Sequence, residues 1–104
     1  MPDRYSLRVR SLTKDLTRDD LVPYFFWDED ISVGELKATL QRGPSFERDR
    51  LLGKMLREAN DRDVWRFVKP VEVAAELERL ERRIGRRYGF WKYLIDGWRR
   101  DGLL

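Results

Sequence analysis

The 104-residue chain contains neither cysteine nor histidine. Without cysteine there is no disulfide, no thiolate nucleophile and no Cys-based zinc or iron–sulfur site. Without histidine the commonest metal ligand and the commonest general base are also missing. Asn60 and Gln41 are the single residues of their kinds, and lysine is scarce, with 5 against 17 arginines. Few thermolabile side chains beside an arginine excess point to a GC-rich or heat-adapted source. No apolar run approaches the roughly 18 residues of a membrane span. Met1-Pro2-Asp3-Arg4 leads into a charged stretch and not into the apolar region of a signal peptide. The expected location is the cytoplasm, with no membrane contact.

What is present is enough for a core. Apolar residues make up 41% of the chain, and its length suits one domain. Charge is abundant, at 39%, yet the net value is only +3. It is uneven: residues 1–52 hold 9 basic and 10 acidic groups, and residues 53–104 hold 13 and 9.

From Arg4 to Arg10 the residues alternate, with Tyr5, Leu7 and Val9 apolar between polar neighbours, as one row of an extended segment requires. A lone strand cannot satisfy its own backbone. It is expected either to lie as an arm on the helices or to pair with a second copy of the chain through residues 4–10.

The remainder reads as short helices. Thr17 is placed to cap a first helix running into Leu21-Val22-Pro23-Tyr24-Phe25-Phe26-Trp27, with a kink at Pro23. Ser32-Val33-Gly34-Glu35 has capping-box spacing and precedes Leu36 and Leu40. Ser45 caps a longer helix to about Ala59, with Leu52, Met55, Leu56 and Ala59 on one face and Asn60 as a left-handed stop. Pro70 suits the first position of a helix that keeps Val73, Leu77, Leu80 and Ile84 together as far as Gly85. A last helix, about Arg87 to Arg100, aligns Trp91, Leu94, Ile95 and Trp98. The expected fold is all-α: a compact bundle of five or six short helices over 17–104, with an extended or strand-like N-terminal arm over 1–16.

Enzymatic chemistry finds little support. As a calcium loop, Asp28, Asp30 and Ser32 would supply the first three ligands, but the required glycine is Val33 and the bidentate glutamate is Thr39. No serine sits in a nucleophile elbow or a Ser-x-x-Lys motif, and Gly85-Arg86-Arg87-Tyr88-Gly89 lacks phosphate-loop spacing. A non-enzyme without cofactor or metal is expected.

Two groups of residues suit binding. Arg79, Arg82, Arg83 and Arg86 fall at i, i+3, i+4, i+7, extended by Arg87 and followed by Tyr88, Phe90 and Trp91. Guanidinium groups interleaved with rings suit a nucleic acid. The same stripe with Glu72, Glu76 and Glu78 ahead of it is also what a solvated helix face with macrodipole compensation looks like, and an acidic protein would fit it too. The second group is Tyr24, Phe25, Phe26 and Trp27 with Asp28 and Asp30. Four consecutive large side chains on a helix point in every direction, so some should reach a partner.

Pro23-Tyr24-Phe25-Phe26-Trp27-Asp28 and Phe90-Trp91-Lys92-Tyr93-Leu94-Ile95-Asp96-Gly97-Trp98 resemble segments of small bacterial helical proteins encoded beside abortive-infection-type nucleotidyltransferase toxins. The resemblance implies an antitoxin-like or accessory protein that works by binding, with a nucleotidyltransferase as partner, and it brings no catalytic residue.

Overall fold

The computed structural model describes residues 10–104. The alternating segment up to Val9, and the pairing of two copies through it, lie outside the described residues. The fold is all-α. Helices α1 (Val33–Gln41), α2 (Phe46–Glu58), α3 (Asp61–Val64), α4 (Pro70–Glu76), α5 (Glu81–Ile84) and α6 (Tyr88–Arg100) are joined by short turns. The β structure among the described residues is one two-residue parallel pairing, β1 (Leu12–Thr13) with β2 (Val22–Pro23), Leu12 opposite Val22.

The described end of the expected arm is bound to the helices. Arg10 Nε donates to Asp30 Oδ1 at 3.1 Å, and its Nη1 pairs with Glu35. Leu16 is buried in the core.

The helix expected from Thr17 does not form. Thr17 Oγ1 instead donates to Asp15 Oδ1 at 2.6 Å. Pro23 is the reason, because its ring pushes the residue before it into extended backbone. Val22 therefore pairs as a strand, its N–H donating to Ser11 O at 2.9 Å. Pro23, itself extended at ψ 144°, leads into a single 3₁₀ turn over Tyr24–Phe26. That turn sends Phe25 and Phe26 inward, and both are buried.

The serine caps form as their spacing predicts. Ser32 Oγ accepts from Glu35 N and Ser45 Oγ from Arg48 N, each at 3.0 Å, satisfying donors that a helix start leaves open. Helix α2 is central: Leu51 to Leu56 are all buried, including Gly53 and Lys54. Asn60 reverses its expected role. At φ −62° it is not left-handed, and its side chain accepts from Arg62 N to cap α3.

Pro70 opens α4 as expected, but the helix foreseen to Gly85 breaks at 77–80. Leu80 N bonds both Glu76 O and Leu77 O at 3.2 Å, the tightened geometry of a 3₁₀ turn, in which residues three apart eclipse. Leu77 and Leu80 thus face the core together, and Val73, Leu77, Leu80 and Ile84 are all buried. Gly85, at φ 62°, takes the left-handed turn that a side chain would strain, and redirects the chain into α6. On α6, Trp91 and Ile95 are buried, and Trp91 Nε1 donates to Leu56 O at 2.7 Å. Trp65 meets Trp91 edge-on and Trp98 at a tilt, centroids 5.6 Å apart in each case. Trp65, Phe67 and Trp98 pack against the core half-buried, whereas Trp91 is wholly inside.

Candidate functional site

The Tyr24–Asp30 segment is mostly spent on the fold. Phe25 and Phe26 are core residues with no surface to offer, a correction to their expected place in a partner contact. Tyr24 is half-buried; its hydroxyl donates to Asp63 Oδ2 at 2.5 Å and accepts from Asn60 N at 2.9 Å. Burial first, then the Asp63 carboxylate, pushes this phenol up to about 12. Asp28 Oδ1 and Glu29 Oε2 each lie 2.5 Å from Lys54 Nζ, which also sits over the Phe26 ring at 5.6 Å. Arg50 adds a two-nitrogen clamp on Glu29, at 2.9 and 3.0 Å. Burial raises the Glu29 carboxyl, and Arg50 and Lys54 more than offset it, leaving it below its ordinary range. Asp28, Asp30 and Ser32 are thus engaged by Lys54, Arg10 and Glu35 N and do not converge as cation ligands. Among the described residues, no group of three or more acidic side chains is arranged to hold a metal ion. Trp27 is the member of the block that reaches solvent, at 49% exposure.

The arginine stripe is also broken up, because its helix is. Arg79 Nη1 lies 2.5 Å from Asp49 and its Nη2 3.4 Å from Glu76. Glu78 and Arg82, four positions apart, form no ion pair among the described residues. Arg83 lies over the Phe46 ring at 4.9 Å. Arg87 donates to Ala59 O and stacks over Phe90 and Trp91, at 5.1 and 5.3 Å. Arg86 reaches Glu58 only at 3.7 Å and is 73% exposed. Arg82 is exposed and has no ion-pair partner among the described residues. Of the five arginines, then, Arg82 and Arg86 keep their charge mainly toward solvent.

On the outer side of α6, Tyr93 is a surface residue that the arginine stripe with Tyr88, Phe90 and Trp91 does not include. Phe90 is 42% and Tyr93 77% exposed, while Trp91 and Ile95 point inward. At 100° per residue, Phe90 and Gly97 fall on one line of α6, with Tyr93 and Arg100 beside it. The signal was in the heptad pattern, since the core stripe of Trp91, Leu94, Ile95 and Trp98 leaves Phe90 and Tyr93 with no inward position. A second apolar edge, Val71 with Leu103 and Leu104, flanks Trp98. No helix among the described residues is long and apolar enough to cross a membrane. Comparison with protein-family models, with curated proteins and with solved structures finds no match to the chain.

Proposed function

We propose that this all-α domain is a non-enzymatic protein-interaction module whose contact surface is the outer side of α6, centred on Phe90 and Tyr93. The observation that carries the reading is the exposure of these two rings on a helix whose other large apolar side chains are buried or half-buried. Exposed aromatics beside arginine have the composition of interface anchors, which aromatic residues and Arg dominate. Arg87 already stacks on Phe90, and Arg86 stands a turn before it. Trp27, next to Asp28 and Asp30, offers a second, smaller contact.

The partner to try is a nucleotidyltransferase encoded beside this protein, because Phe90–Trp98 is one of the two segments that resemble the antitoxin-like helical proteins. Co-expression should give a complex that co-purifies and survives gel filtration. Phe90→Asp with Tyr93→Asp should abolish it, and Tyr93→Asp alone, at 77% exposure, should weaken it without shifting the melting temperature of the free protein. A complex that forms undiminished with this double variant overturns the assignment.

A second reading, nucleic-acid binding, draws on the outward charge of Arg82 and Arg86 beside Phe90. It requires binding of a single-stranded oligonucleotide at about 50 mM salt, falling steeply as salt rises. Absence of binding under that condition removes it.

A further inference from the structure

Away from α6, a cleft of about 530 Å³ lies between the end of α1, helix α2 and the turn that leads into α4. Its size is that of small-molecule sites in general. The cations that line it are Arg42, Arg48, Arg66 and Lys69, its acid is Glu72, and Trp65 and Phe67 form aromatic wall. Arg48 is 7% exposed, a rare burial for a guanidinium. Its Nε donates to Leu40 O at 3.1 Å and its Nη1 to both oxygens of Glu76 at 2.9 Å. Arg48 is thus held rigidly in the wall of the cleft.

The charge count favours an anionic ligand. Glu76 neutralises Arg48, Asp63 lies 3.8 Å from Arg66, and Glu72 accepts from the backbone N–H of Lys69. Arg42 and the Lys69 ammonium have no ion-pair partner among the described residues. Against the four cations stand Glu76, Asp63 and Glu72, a surplus of about one positive charge, which favours an anion such as a phosphate monoester, about −1.5 to −2 at neutral pH. Guanidinium donors also match phosphate oxygens in geometry. The aromatic wall adds a preference for a flat ring, and Trp65 is held in place by its contacts with Trp91 and Trp98.

We infer that this cleft binds a nucleoside monophosphate, its phosphate on Arg42 and Lys69 and its base against Trp65 and Phe67. The site stands apart from α6 and does not depend on the function proposed above.

Isothermal titration with AMP, GMP, CMP and UMP, and separately with inorganic phosphate and adenosine, tests it. At least one monophosphate should bind saturably, with quenching of tryptophan fluorescence. Phosphate alone and the nucleoside alone should each bind roughly tenfold more weakly or worse. Arg42→Ala with Lys69→Ala, both at the rim and outside the core, should weaken binding roughly tenfold or more while leaving the melting curve of the free protein in place. Arg82→Ala, off the cleft, should change nothing. Three outcomes each overturn the proposal: no saturable binding of any monophosphate, equal affinity in the Arg42/Lys69 double variant, or phosphate alone binding as tightly as the nucleotide.

Discussion

Gly53 on α2 lies so close to Arg83 on α5 that a Cβ at position 53 would stand 2.5 Å from Arg83 Cβ. In an open helix, glycine to alanine stabilises by about 1 kcal/mol. Here the sign reverses. Gly53→Ala should destabilise by about 1–3 kcal/mol, the usual cost of overpacking, in chemical denaturation. Because the clash is with Cβ, Arg83→Ala should not rescue it, which separates packing from any loss of the arginine's contact with Phe46.

Tyr24 links the N-terminal turn to α3 and should give the fold an alkaline limit. Its phenol ordinarily titrates near 10 and is raised to about 12 in the fold. A raised value means the folded state holds its proton longer, so this stabilisation is whole below about pH 10 and is lost as pH rises toward 12. The melting temperature should fall over that window. Tyr24→Phe should flatten that part of the profile while costing about 1–2 kcal/mol at neutral pH through its two lost hydrogen bonds.

Acid should act in the opposite direction. The carboxyls of Glu29, Glu35 and Asp49 are lowered, with Arg50 and Lys54, Arg10, and Arg79 as the respective cations. For a lowered carboxyl the stabilisation is present above the ordinary value, 4.5 for Glu and 3.8 for Asp, and is lost as pH falls through the shifted one. Stability measured by urea unfolding should hold at neutral pH and decline below about pH 4.5. Arg50→Gln should blunt the decline.

Neighbouring aromatics should separate cleanly. Phe26→Ala, in the core, should cost about 3–5 kcal/mol of stability. Trp27→Asp, at a half-exposed position, should cost clearly less stability than Phe26→Ala. The reverse pattern in thermal melts would contradict the placement of the 3₁₀ turn.

Local chemistry made several elements legible. Ser32, Ser45 and Pro70 start helices because side-chain oxygens and a fixed φ act within one turn, and the Val73/Leu77/Leu80/Ile84 row stays inward even where its helix breaks. What failed depended on backbone geometry or tertiary contact. Pro23 holds Val22 extended, so that no helix forms where a kinked one is expected, and this places Phe25 and Phe26 in the core. The break at 77–80 removed the single face that would have aligned Arg79 with Arg82, Arg83 and Arg86. Asp49, thirty positions earlier in the chain, then drew Arg79 into an ion pair. The cleft could not be read at all, because Arg42, Arg48 and Trp65 come to line one cleft only in the packed fold.

The central claim, that this domain works by presenting the outer side of α6 to a protein partner, is tested most directly by side-chain footprinting of the co-purified complex against the free protein. Phe90 and Tyr93 should be labelled in the free protein and protected in the complex, with Tyr93 changing most because it begins at 77% exposure. Full labelling of both rings within an intact complex would contradict the account.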